Sequence, residues 1–220
     1  MKMTKRLATL AACAVMGASA LCVPMSVSAQ NIESNIDLCY NQTTYSNPLD
    51  YSKYVTKLTH YYQSGMSWSN KPCNGVSGAT IGSQGCAITS FAMILSHNGK
   101  TDNPGDVADK LKGYAYPSFS WTKAAEEYGL NNPTPTYYSK SISDKGRANS
   151  AICSYVRSNT PVIVGLENKY DSSDTHFVVA RGAAPQNANV YIFDPSYNDE
   201  HTVLDEYYNE NYFVYEIIVF

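Results

Sequence analysis

The chain changes its period past its middle, and that change constrains its fold more than any other feature. From Cys86 to about Ser96 the apolar residues Ile88, Phe91, Ala92 and Leu95 fall on one helical face, with Gly99 as the stop. Asn103-Pro104 opens a second helix that runs to Lys112 and closes at Gly113. Ser120 caps a third, from Trp121 to Tyr128, closed by Gly129. A last helix, Asn149 to Ser158, turns Ile152, Tyr155 and Val156 inward. Short β-prone runs then take over: Pro161 to Leu166, His176 to Ala180, Val190 to Phe193, and Tyr212 to Phe220, the last alternating less cleanly. The turn at Pro185-Gln186-Asn187-Ala188-Asn189 makes the two middle runs hairpin neighbours. Helices followed by an antiparallel sheet predict an α+β fold. No internal repeat or low-complexity tract interrupts it.

The first 29 residues stand outside that pattern. Lys2, Lys5 and Arg6 precede an apolar stretch from Leu7 to Val23, and Val27-Ser28-Ala29 places small residues before Gln30. This is the pattern of a secretory signal peptide, with a secreted or cell-surface protein as its consequence. The run is short for a membrane anchor. Leu10-Ala11-Ala12-Cys13 resembles a lipoprotein box but falls too early, with little apolar run before it. Cleavage leaves residues 30–220, enough for one domain with a sizeable core. Removing those three basic residues takes the net charge from −3 to −6. Such an acidic chain carries no electrostatic footprint for nucleic acid, and nothing in the mature part suggests membrane binding. A monomer is expected.

Residues 30–46 are rich in Asn, Ser, Thr and Gln. Asn47-Pro48 then reads as a helix start, and Tyr51, Tyr54, Val55, Leu58, Tyr61 and Tyr62 recur at helical spacing up to Gly65. Residues 30–65 are therefore read as an N-terminal extension with one amphipathic helix, and 66–220 as the main domain. Residues 66–85 hold Trp68, Pro72 and four glycines, and form a loop leading into Cys86.

Cys86 is the candidate nucleophile. A thiol at a helix N-terminus faces unpaired backbone N–H groups and the positive end of the helix dipole, and both favour the thiolate. The predicted hairpin brings His176, at the start of one strand, beside Asp194, at the end of the next. The acid can then orient one imidazole nitrogen and leave the other for the thiol. Cys, then His, then an acid is the chain order of papain-like cysteine hydrolases. His97 lies 11 residues along the same helix, about 16 Å from Cys86, and cannot be the base. His60 and His201 have no comparable context and are expected at the surface. After signal cleavage Cys39, Cys73, Cys86 and Cys153 remain, so one disulfide or none is open. No Cys pair or His spacing suits zinc, and no cofactor is called for.

The segment Thr80-Ile81-Gly82-Ser83-Gln84-Gly85-Cys86-Ala87-Ile88-Thr89-Ser90-Phe91-Ala92-Met93 resembles the nucleophile segment of the bacteriocin-leader-processing (double-glycine) cysteine peptidases and their secreted relatives, within the papain-like superfamily. The Pro104 helix, the Trp121 helix, Thr160-Pro161-Val162-Ile163-Val164, His176-Phe177-Val178-Val179 and Asp194-Pro195 follow in that family's order. The resemblance spans about residues 66–200. It implies a papain-like domain, the nucleophile helix packed on the sheet, with Cys86 as nucleophile, His176 as base and Asp194 as orienter. The leader-processing members place a Gln six residues before the Cys, for the oxyanion hole. Here that position is Thr80, and the nearest amide is Gln84, so both are oxyanion candidates beside the backbone. No transporter region accompanies the domain, so a double-glycine leader is a poor substrate guess.

Three functions follow from these residues. The first is a secreted cysteine peptidase acting on a peptide or protein through an acyl-enzyme. The second is a cell-wall amidase or transpeptidase using the same triad on a cell-wall peptide. The third is an inactive papain-like domain that binds through a surface rich in its 19 tyrosines.

Overall fold

The computed structural model describes residues 55–73, 78–112, 119–184, 189–196 and 201–220. The expected signal segment, Cys39, the start of the expected extension helix and most of the 185–189 turn lie outside them. A short helix α1 (Ile81–Gln84) runs into α2 (Cys86–His97), followed by α3 (Pro104–Lys110) and α4 (Trp121–Tyr128). Then come β1 (Thr134–Tyr137), α5 (Ile142–Arg157), β2 (Val162–Asn168), β3 (Thr175–Ala183), β4 (Val190–Phe193), α6 (Leu204–Asn209) and β5 (Tyr212–Val219). The five strands form one antiparallel sheet in the order β1-β5-β2-β3-β4. The α+β expectation holds, and the β3–β4 pairing is the expected hairpin.

Period-two alternation in β2 divides the core. Val162, Val164 and Leu166 pack on one sheet face with Ala148, Ile152 and Val156 of α5 and Leu204 of α6. Ile163 points the other way, joining Phe91, Ala92 and Leu95 of α2, Val107 of α3 and Ala124 of α4. Each large aliphatic side chain so buried contributes roughly 1.5–3 kcal/mol. The N-caps of α3 and α4 and the glycine that ends α4 are those read from sequence. Asn103 closes a capping box with Asp106, Ser120 accepts from the Lys123 N–H, and Gly129 ends α4 in the left-handed region.

Three sequence expectations need correction. The helix expected to run to Gly65 is not formed over residues 55–65. There the chain is extended: Val55 bridges Gly182, and the Thr56 N–H donates to the Arg181 carbonyl at the edge of β3. Leu58 and Tyr61 pack against the α2 side of the core, so this segment is built into the domain rather than set ahead of it. The backbone hydrogen bonds of Thr56 and Gln63 to Arg181 and Pro195, far away in sequence, override the helical period here. His60 and His201 are not simple surface residues. His60 stacks on Phe193 with ring centroids 4.2 Å apart, and His201 stacks on Tyr207, also at 4.2 Å. The α5 helix begins at Ile142, not Asn149, capped by the Ser141 side chain. Among the described cysteines 73, 86 and 153 there is no disulfide.

Candidate active site

Gly85 makes the corner that presents Cys86. A Cβ there would stand 2.3 Å from the Ile81 carbonyl oxygen, so only glycine lets α1 and α2 meet this tightly. Cys86 thereby becomes the first residue of a largely buried helix and is itself partly exposed. The helix is tied to the sheet beside the base: the Ser90 hydroxyl donates to the Phe177 carbonyl at 3.1 Å.

His176 lies at the start of β3, and Asp194 directly after β4. The imidazole Nε2–H donates to Asp194 Oδ1 at 2.8 Å. That leaves Nδ1 as the nitrogen for Cys86, which hydrogen-bonds to the ring. Asp194 is 2% exposed and thoroughly satisfied. Its Oδ1 also accepts from the Ser196 N–H at 2.7 Å, and its Oδ2 from the Tyr207 hydroxyl. The His60 Nε2–H donates to the Asp194 carbonyl at 2.5 Å. The structure thus brings together the three residues singled out in the sequence.

The electrostatics follow from this packing. Burial pushes the Cys86 thiol up, but the hydrogen bond and charge of His176, with the N–H groups of Phe177 and Ala87, more than reverse it. The net shift is below the ordinary thiol value. Burial pulls His176 down, yet the Asp194 and Cys86 partners outweigh it and raise the imidazole to about 10. Asp194, penalised by burial, is held down at about 2 by His176, Tyr207 and the Ser196 N–H. These directions describe a thiolate–imidazolium pair backed by a carboxylate.

The cleft in front of this pair measures about 660 Å³. Gln84 borders it. Thr80 does not: its hydroxyl caps α1, accepting from the Ser83 N–H at 3.3 Å, which assigns it to local structure. Gln63 also borders the cleft, and sequence reading missed it. Its N–H donates to the Pro195 carbonyl at 2.7 Å, which fixes the extended segment beside Asp194. Its side chain holds a buried Oε1 without a hydrogen-bond partner among the described residues, and a long Nε2 contact of 3.4 Å to the Gly82 carbonyl. No spacing rule points to an amide that reaches the site from 23 residues upstream, where Gln63 directly follows the last tyrosine of the helical spacing.

Among the described residues no group of three His, Cys, Asp or Glu could hold a metal ion. No described helix is long and apolar enough to cross a membrane. No curated protein matches the chain. A family described as "Peptidase_C39 like family" matches residues 53–218, a stretch that takes in Gln63, Cys86, His176 and Asp194 together. Because that match covers most of its length, the chain belongs to the Peptidase_C39-like family of papain-like cysteine peptidases.

Proposed function

We propose that the protein is a secreted cysteine peptidase that hydrolyses peptide bonds through Cys86, His176 and Asp194. The observation that carries this reading is the unbroken chain of hydrogen bonds from Cys86 to His176 to Asp194, at the mouth of an open cleft. Secretion is supported by the basic start, apolar run and Val27-Ser28-Ala29 of the N-terminal segment.

In this reading the Cys86 thiolate attacks the scissile carbonyl carbon, and the carbonyl oxygen takes up the negative charge. The Cys86 N–H and the Gln63 side-chain amide at the border of the cleft stabilise that oxyanion, the amide N–H giving up its long contact to the Gly82 carbonyl. The His176 imidazolium gives its proton to the leaving amine as the C–N bond breaks, leaving a thioester. Water then attacks the thioester, with neutral His176 taking its proton. The acid product leaves, the thiolate returns, and His176 is again the imidazolium. Asp194 holds the ring in place throughout and stabilises its positive charge.

The test is hydrolysis of internally quenched peptides by the chain and by Cys86→Ala and His176→Ala variants. Both substitutions are expected to abolish cleavage while circular dichroism and thermal unfolding change little. Cleavage persisting at the parent rate in Cys86→Ala contradicts the mechanism.

A further inference from the structure

One wall of the cleft is not used by the triad. Gly165 of β2 pairs with Glu216 of β5, but the next residue, Leu166, pairs with Val214. Tyr215 is therefore an extra residue, a β-bulge, and its carbonyl is taken by the Tyr138 N–H at 2.8 Å. A bulge breaks the alternation of a strand and re-aims side chains. Here it turns two successive residues toward the same neighbour. A Cβ on Gly165 would meet Glu216 Cγ at 2.7 Å and Tyr215 Cε1 at 2.9 Å. The missing Cβ at Gly165 is the space these two side chains occupy, and both border the cleft with Cys86.

Glu216 is 7% exposed. Its carboxylate accepts from the Tyr215 hydroxyl, and among the described residues it takes part in no ion pair. A buried carboxylate without a cation is costly unless something pairs with it. The surroundings suit a cation. Trp121, Phe177 and Tyr137 border the same cleft, with Trp121 edge-on to Phe177 at 5.3 Å and Phe177 edge-on to Tyr215 at 6.2 Å. Aromatic faces beside a carboxylate are the chemistry that holds ammonium and guanidinium groups.

We infer that Glu216, set on the β5 bulge and walled by Tyr215, Trp121 and Phe177, is a specificity-determining residue that binds a cationic group of the substrate beside the bond to be cut. The inference rests on the peptidase reading for the identity of the substrate as a peptide, but binding at Glu216 does not require turnover. Gly165 and the bulge position it. The cation would be a lysine or arginine side chain or a free amino group, since all offer the same positive donors to the carboxylate.

The test uses the full chain carrying Cys86→Ala, which binds without cleaving. The probes are alanine-rich peptides with one Lys, norleucine or Glu at successive positions, and a second set with the amino terminus free or acetylated. Binding is followed by calorimetry. At one position Lys, or the free terminus, is expected to bind at least about tenfold more tightly than its neutral counterpart, a typical effect for a buried charge pair. Adding Glu216→Gln is expected to abolish that difference while leaving the norleucine or acetylated peptide unchanged. Glu216→Gln keeps the side chain's shape, and its thermal unfolding midpoint is expected at or above that of the parent. Equal affinity for charged and neutral probes at every position, including no binding by either, overturns the inference, as does a preference that survives Glu216→Gln. Turnover by the chain with Cys86 in place separates the two readings. Cleavage without charge preference removes the cation site alone. Charge-selective binding without cleavage removes the peptidase reading and leaves the site standing.

Discussion

The two sides of the cleft handle charge in opposite ways. At the β3–β4 end, Asp194 is almost fully buried, yet both carboxylate oxygens are hydrogen-bonded and His176 supplies a cation. At the β5 end, Glu216 is buried nearly as deeply, and among the described residues its hydrogen-bond partner is the Tyr215 hydroxyl. Burial pushes the Glu216 carboxyl up, whereas partners hold Asp194 far down. The same residue class under the same desolvation diverges because of what stands next to it. A charge that must stay fixed through a reaction is best satisfied within the protein. A charge that recognises a ligand is best left for the ligand to satisfy.

The largest effects should fall on the satisfied side. Replacing Cys86 with Ala, or His176 with Ala, is expected to lower peptide hydrolysis by a factor of at least about 1,000, because the triad acts as a unit. Initial rates on quenched peptides measure it. Gln63→Ala is expected to lower kcat by about 100- to 1,000-fold, the loss of one oxyanion donor, whereas Thr80→Val leaves kcat unchanged and lowers stability by about 1 kcal/mol through its cap. The reverse order would move the oxyanion donor back to Thr80. Tyr207→Phe removes a buried donor to Asp194. A hydrogen bond to a charged group is typically worth about 1.5–3 kcal/mol, and the loss is expected in kcat with KM unchanged and a shifted pH profile.

The acid side of the stability profile sharpens the comparison. Asp194 is held below its unfolded value, so its contribution is present above about pH 4 and lost as pH falls toward about 2. Asp194→Asn is expected to flatten that part of the melting curve against pH. Glu216 is shifted the other way, so its charged form weighs against folding at neutral pH, and Glu216→Gln is expected to raise the unfolding midpoint there. On the recognition side, Gly165→Ala forces Glu216 and Tyr215 to move and is expected to cost about 1–3 kcal/mol of stability, as overpacking does. Urea unfolding at neutral pH measures it.

How far the sequence was readable differs between these same regions. Cys86, His176 and Asp194 were legible because each stands at an element boundary marked by local residues: Gly85 before the helix, the strand start, and Asp194-Pro195 after the strand. Gln63 was not, because its position depends on contacts with Val55, Thr56 and Pro195 partners far away in sequence. The β1 strand was missed because all four of its residues are exposed and Pro135 interrupts a β-prone pattern, as edge strands permit. The α6 helix is only six residues long and follows a loop without a side-chain cap bond, so it left little periodicity to detect. The irregular alternation of Tyr212 to Phe220 was visible in the sequence, and the Tyr215 bulge is its cause. Glu216 alone in a β-prone run reads as an outward-facing charge; only the register with Gly165 shows it turned inward.

The central claim is that His176 holds Cys86 as a thiolate, and the rate of Cys86 alkylation by iodoacetamide against pH tests it most directly. Mass spectrometry of the Cys86 peptide separates it from Cys73, which is buried and pushed up to about 11 by that burial and by Cys86 nearby. The account predicts fast alkylation that persists well below the free-thiol value of about 8.5, and a slow thiol titrating near that value in His176→Ala. A slow thiol titrating near the free value in both proteins would contradict it.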